Sequence, residues 1–277
     1  MKRMINLGLV MAIFLVMCHP TNASESLIIA GTGDSQTLLR KLAAAYESNR
    51  AFTRIDVPDS VGSGGGIKAV VRGTAGLGRT ARPLKPKERK NDIAEIPFAL
   101  SPIVFAANPS AASVKNLTSD ALIKIYAGVI TDWREVGGNP SKIYPIDRES
   151  GDSSRRILET HLRSAFGSFK EIKSKGKIFF STPETVEAVA QNRNTIGFMP
   201  LSVAKHANLH IFSIDSVFPD EGSVKNLRYP FASTFFLIKP SRPDCLAVDF
   251  LSFIKNPKAQ QLMRAMGVIP IEAKKAE

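Results

Sequence analysis

The chain has 277 residues and a formal net charge of +12 at neutral pH. A chain of this length can bury a large core, which is typical of a globular protein and not of a small scaffold. Its basic residues are scattered, apart from a run at 82–90, and its aromatic residues do not alternate with them, which argues against nucleic acid as a partner. The excess of positive charge is either an ordinary solvated basic surface or a field that attracts anions.

The first residues have the composition of a secretory signal. A short basic start precedes an apolar run at 7–17, which is too short to span a bilayer comfortably. Small residues end the segment, so we expect residues 1–23 to be a signal peptide that is cleaved after Ala23. Cys18 offers a minor alternative, a lipid anchor, but the two residues before it lack the small side chains of a lipoprotein signal.

After residue 23 the hydrophobic pattern alternates between strands and helices. The first predicted elements are a strand at 27–31, a helix from Ser35, a strand at 54–57 and, after a glycine-rich turn, a helix at 67–73. Further helices are predicted at 119–127, 153–166, 184–192 and 244–266, the last with Gly267 as a stop signal. This alternation predicts an α/β fold with largely parallel sheets.

Two long apolar strands are predicted where the chain would cross between two lobes, at 99–109 and 229–240. We therefore expect lobe I to comprise 24–103 and 233–277, and lobe II to comprise 104–232. A chain that crosses twice between two lobes leaves a hinge and a cleft between them.

Three short polar loops share one pattern, in which a strand ends, glycine and hydroxyl residues follow, and a helix begins. Their sequences are GTGDSQ (31–36), GSGGGIK (62–68) and DRESGDSS (147–154). Each would point free backbone N–H groups from a helix N-terminus toward one place, and these groups and the helix dipole both favour an anion. The candidate ligand-binding residues are Gly33, Asp34, Ser35, Ser63, Gly64, Arg148, Ser150, Gly151, Asp152, Ser153 and Ser154.

Each loop also has a simpler interpretation. A Gly-Ser run is often only a turn, and Asp152 or Ser153 could cap the helix that follows. Three such loops in one α/β chain, one of which carries Arg148, favour a ligand site over caps alone.

Common patterns of enzymes and metal sites are missing from the sequence. The loop at 62–68 is not a P-loop, because Ile67 and Ala69 replace residues that a P-loop requires, and no G-x-S-x-G motif occurs. His206 and His210 have no carboxylate nearby in the sequence, so we expect neither a metal nor a cofactor. A binding protein is favoured over an enzyme; a secreted phosphatase and a sensory or adhesive surface protein are the alternatives.

Several longer segments resemble one known family. Besides the loops GTGDSQ and VGSGGGIKAVVRG, they are IYAGVITDWREVGG (125–138), NTIGFMP (194–200) and FLSFIKNPKAQQLMRAMGVIPI (250–271). These segments resemble the periplasmic phosphate-binding proteins of ABC transporters. The resemblance implies a two-lobed periplasmic-binding-protein fold and phosphate or a similar oxyanion in the cleft. It also implies delivery to a transporter permease by a periplasmic, monomeric, non-catalytic protein.

The resemblance assigns anion-binding roles to four residues. Ser35 and Ser63 stand where the family has hydroxyl donors in its first two loops. In the third loop, Arg148 matches the family's arginine and Ser154 its final threonine. The third loop also departs from the family, because Ser150 and Asp152 stand where it has an aspartate and a serine.

One departure concerns the choice of ligand. In the segment GLGRTARPL (76–84), Ala81 replaces an aspartate that accepts a proton from phosphate in the family. A preference for phosphate over sulfate then needs another carboxylate. Asp34 and Asp152 are the candidates, and Asp152 is favoured because it shares a loop with Arg148. The sequence leaves the ligand open between phosphate and another tetrahedral oxyanion, such as sulfate or molybdate.

Overall fold

The computed structural model describes residues 25–271. The predicted signal peptide and Cys18 lie outside this range. Within it, no helix combines the length and the apolar character needed to cross a membrane.

The strands of the described residues form one large mixed sheet and two small pairs. In chain order they are β1 (Glu25–Gly31), β2 (Thr53–Asp56), β3 (Leu77–Thr80), β4 (Ile93–Ala107), β5 (Asn116–Leu117), β6 (Tyr144–Arg148), β7 (Arg163–Ser164), β8 (Gly167–Ser168), β9 (Lys177–Phe179), β10 (Thr195–Pro200), β11 (His210–Ile211), β12 (Ser213–Ile214), β13 (Ala232–Pro240) and β14 (Ile269–Pro270). The main path of the large sheet is β2-β1-β3-β13-β4-β10-β6-β9, with β11 and β14 also paired to β4.

The α-helices alternate with these strands along much of the chain. They are α1 (Gln36–Glu47), α2 (Gly62–Val71), α3 (Ser119–Ala127), α4 (Ser153–His161), α5 (Thr182–Gln191), α6 (Leu201–His206), α7 (Glu221–Lys225), α8 (Cys245–Phe253) and α9 (Pro257–Ala265). The predicted α/β class is confirmed.

The large sheet is parallel only toward its two ends. β1 pairs in parallel with β2 and β3, and β6 does so with β9 and β10. At the centre, β13 runs antiparallel to β3 and β4, and β4 runs antiparallel to β10. The prediction of largely parallel sheets is therefore wrong, because two long strands run through the centre in opposite directions.

Two buried clusters form most of the hydrophobic core, and β4 and β13 run through both. The first cluster is built from residues within 27–99 and 235–268, and the second from residues within 103–231 together with Ile269. On β4 the change of cluster falls between Ala99 and Ile103, and on β13 it falls between Ala232 and Phe235. The two strands thus carry the chain twice between two separately packed regions.

The glycine-rich segment is part of a helix and not the turn that the sequence predicted. α2 begins at Gly62, so its first turn is built largely of glycine. A Cβ on Gly66 would lie 2.6 Å from the carbonyl oxygen of Ala30, which shows that the helix packs directly against β1. This close approach requires glycine at position 66.

Two other helix predictions are wrong in extent. The segment 244–266 forms two helices, because Asn256 caps the amide of Ala259 at 2.8 Å and Pro257 starts a new helix. α4 ends at His161, since the chain turns into the short β7–β8 hairpin and buries Leu162 and Phe169.

Candidate functional site

The three predicted loops meet at one cleft of about 310 Å³, close to the starts of four helices. α1 and α4 follow the first and third of these segments, the second forms the start of α2, and α5 contributes its first residue, Thr182. The candidate residues that line the cleft are Gly33, Ser63, Gly64, Arg148, Gly151, Asp152 and Ser153. Asp34, Ser35 and Ser154 are buried and do not line it, and Ser150 is exposed outside it.

Arg148 is almost fully buried and is held by contacts from three directions. Its Nη2 forms a salt bridge of 2.8 Å with Oδ2 of Asp152. Its Nη1 donates to the Thr182 hydroxyl at 2.9 Å, and its Nε donates to the Phe179 carbonyl at 3.3 Å. These contacts fix the guanidinium group and leave part of its N–H donors uncommitted.

Asp152 has the capping role that the sequence left open for it and also pairs with Arg148, a contact that the sequence did not predict. Its Oδ1 accepts the backbone N–H of Arg155 at 2.9 Å, which makes it the N-cap of α4. Its Oδ2 is the salt-bridge partner of Arg148. Both oxygens of Asp152 therefore already have a partner within the protein.

Asp34 is connected to Arg148 through a hydrogen-bond network. Its Oδ1 accepts a hydrogen bond from the Thr182 hydroxyl, so Thr182 links it to Arg148. Burial and the nearby Asp152 carboxylate raise the pKa of Asp34 from 3.8 to about 6, against the lowering effects of Arg148, Thr182 and Ser154. Its Oδ2 is buried and has no hydrogen-bond partner among residues 25–271.

Two predicted serines also carry buried hydroxyls without a partner in the described range. Ser35 occupies the N-cap position of α1, but its side chain makes no capping bond. Ser154 lies in the first turn of α4, close enough to Asp34 to lower its pKa, but without a hydrogen bond of good geometry. Buried polar groups are nearly always paired, so these hydroxyls are positions where a ligand or a bound water can supply the missing partner.

The residues around Ala81 form hydrogen bonds within the protein. The Ala81 amide donates to Ser63 Oγ at 3.3 Å. Arg79 is fully buried and donates to the carbonyls of Thr32, Pro58 and Ile29, and burial lowers its pKa to about 10. Arg79 is therefore a structural residue that anchors the first loop.

A family model described as a PBP superfamily domain matches residues 19–258. The chain belongs to the PBP superfamily. A curated relative, the phosphate-binding protein PstS of Borreliella burgdorferi, is 23% identical over 98% of this chain and 100% of its own length. The PstS of Bacillus subtilis is 27% identical over 90% of this chain and 82% of its own length.

Solved structures of the superfamily share the fold of this chain. A substrate-binding protein assigned to a phosphate ABC transporter of Clostridium perfringens, with phosphate bound, matches at a TM-score of 0.76 and 24% identity. That match covers 90% of this chain and 100% of the other. An ABC-type phosphate transport receptor from Vibrio cholerae matches at a TM-score of 0.60 and 24% identity, over 88% and 99% of the two chains. The predicted family and the two-lobed binding-protein fold are confirmed.

In this PBP-superfamily chain, the most important residue that sequence reasoning missed is Thr182. Its only signal in the sequence is the Thr182-Pro183 pair, which is typical of a helix start and does not by itself indicate a binding residue. Thr32, Ser60 and Lys68 also line the cleft and were not singled out. Thr32 and Lys68 lie inside the predicted loops at 31–36 and 62–68, and Ser60 lies just before the second of them, so the loops themselves predicted this part of the cleft.

A larger cavity of about 590 Å³ lies elsewhere, lined by residues that include Ile143 and Tyr144. It contains none of the candidate residues and no carboxylate. The cleft at Arg148 is the better site for a small anion, because a buried cation, buried hydroxyls and helix N-termini meet there.

Proposed function

We propose that this chain captures a tetrahedral oxyanion, most naturally phosphate, and delivers it to the permease of an ABC transporter outside the cytoplasm. The observation that carries this proposal is the set of buried, unpartnered atoms beside Arg148, namely Asp34 Oδ2, Ser35 Oγ and Ser154 Oγ. The names of the PstS relatives support phosphate as the ligand. Capture needs no nucleophile, so the proposed role is binding and release.

The two packed regions act as lobes in this proposal. Lobe I comprises 24–103 and 233–277, lobe II comprises 104–232, and β4 and β13 form the hinge. The cleft has walls from both, since Gly33 belongs to lobe I and Arg148 to lobe II. Closing the lobes excludes water, which strengthens the charge-assisted hydrogen bonds to the anion. The protein works as a monomer in this scheme.

We assign the role of proton acceptor to Asp34 and not to Asp152. Asp34 has a free oxygen and a raised pKa, whereas Asp152 uses both oxygens within the protein. Near neutral pH, dibasic phosphate still carries a proton that it can donate to a carboxylate, and sulfate carries none. The carboxylate therefore gains a hydrogen bond from phosphate and repels sulfate.

The test uses hydroxyls whose removal should not harm the fold. Ser35→Ala and Ser154→Ala each remove a buried group that has no partner among the described residues, so the free energy of unfolding should hold or rise. If these hydroxyls bind the anion, phosphate affinity should fall by roughly tenfold to a hundredfold. Ser202→Ala is the matched control, because Ser202 is equally buried and unpartnered but lies in α6, which contributes no residue to the cleft.

Calorimetric titration with phosphate, sulfate, arsenate and molybdate measures the binding. Unchanged phosphate affinity in both Ser35→Ala and Ser154→Ala would contradict the site, and a silent titration with every oxyanion would favour a sensory or adhesive role. For selectivity, Asp34→Asn should bring the dissociation constant of sulfate closer to that of phosphate, while Asp152→Asn should change the ratio less. The opposite order would return the acceptor role to Asp152.

A further inference from the structure

A second cavity adjoins the cleft and shares part of its wall. This outer cavity, of about 360 Å³, lies along the exposed face of α2. The residues common to both cavities are Gly64, Lys68, Arg82 and Lys85. A Cβ on Gly64 would meet nothing within 4 Å, so the space beside this shared wall is open.

The outer cavity holds an excess of positive charge that the protein does not neutralise. Its one lining carboxylate, Glu88, is engaged by Arg82 through two hydrogen bonds of 2.8 Å. Both side chains of this pair are largely buried, and the bonds from Arg82 lower the pKa of Glu88 to about 2. The remaining cations of the cavity are Lys68, Arg72, Lys85 and Lys87.

These four cations have no carboxylate within salt-bridge distance among residues 25–271. On the rim of the cleft, the acids are Asp152, which is paired with Arg148, and the exposed Glu149. Like charges that are held together without counter-charges repel one another, so this cluster favours a bound anion.

We propose that the cleft accepts a ligand with two linked anionic groups, such as pyrophosphate or a short phosphate chain. One phosphoryl group binds beside Arg148, as in the proposed function on which this inference rests. The second binds in the outer cavity beside Lys68 and Lys85, whose side chains line both spaces. Neither Lys68 nor Lys85 is used by the orthophosphate site described above.

General attraction by a positive surface would predict a different pattern. An attractive field raises the association rate of every anion and is weakened by salt. A second binding position acts selectively on ligands that reach it, and mainly slows their dissociation. Removing two lysines from the shared wall and, as a control, two lysines from elsewhere on the surface separates the two effects.

The experiment titrates the protein with orthophosphate, pyrophosphate, tripolyphosphate and glycerol 3-phosphate at about physiological salt. Glycerol 3-phosphate controls for size, because it is longer than orthophosphate but carries one phosphoryl group. We expect pyrophosphate to bind roughly tenfold more tightly than glycerol 3-phosphate, the effect of two modest ammonium contacts. In the double variant Lys68→Gln/Lys85→Gln, most of this difference in affinity between pyrophosphate and glycerol 3-phosphate should be lost.

The control variant Lys173→Gln/Lys258→Gln removes the same charge from exposed positions outside both cavities and should keep the ratio. If pyrophosphate binds no better than glycerol 3-phosphate, or if both double variants weaken all ligands equally, the second position does not exist. If pyrophosphate binds and orthophosphate does not, this inference stands and the proposed orthophosphate function fails. If no phosphate compound binds, both fail.

Discussion

Replacing Asp34 by asparagine should make the ligand-free protein more stable at neutral pH. The substitution keeps the size of the side chain, and an amide oxygen can still accept the Thr182 hydroxyl. It removes a buried carboxylate whose pKa burial and Asp152 raise from 3.8 to about 6. The expected gain in the free energy of unfolding therefore arises because the variant does not bury a charged group.

The sign and size of the gain follow from this pKa. A raised pKa means that the folded state prefers protonated Asp34, so its favourable contribution is complete below pH 3.8 and is lost as the pH rises through about 6. A rise of this size corresponds to about 3 kcal/mol of free energy of unfolding. The difference between Asp34→Asn and wild type should be small at pH 4 and approach that value at pH 7.

Urea unfolding in phosphate-free buffer at pH 4, 5, 6 and 7 measures this difference. Ser35→Ala serves as the control, since it alters a neighbouring buried group that does not titrate, and its difference from wild type should not change with pH. A constant difference between Asp34→Asn and wild type across the same range would refute the reasoning. Asp34 would then ionise as an ordinary carboxylate.

Three further predictions concern groups that support the cleft. Arg79→Met should lower the free energy of unfolding in urea by about 3 kcal/mol, because two buried carbonyls and one partly buried carbonyl lose their donor. Asp152→Ala should cost about 2–4 kcal/mol in the same assay, since α4 loses its cap and Arg148 its counter-charge, whereas Asp152→Asn keeps a capping group and should cost less. Gly33→Ala should weaken phosphate binding in calorimetry at least about tenfold, because its Cβ would lie 2.7 Å from Cδ of Pro183 in the first turn of α5. Gly64→Ala, with open space around its Cβ, should weaken binding less and stabilise α2 by up to about 1 kcal/mol.

Local signals in the sequence determined many of the elements and the position of the anion-binding loops. The helix predicted at 119–127 is α3, because Thr118 caps its start and Gly128 ends it with a φ of 76°. Both signals act within a few residues, which is why they can be recognised in the sequence alone. Local signals also misled, since the periodic pattern at 244–266 continues across the Asn256-Pro257 break between α8 and α9.

The division of roles within the site was decided only by the tertiary structure. The sequence favoured Asp152 as the proton acceptor because it shares a loop with Arg148, but the fold uses both of its oxygens within the protein. Asp34 meets Thr182 although they are 148 positions apart in the chain. Desolvation and hydrogen bonding depend on which groups folding brings together, and the spacing of residues within one loop carries no information about the loop that packs against it.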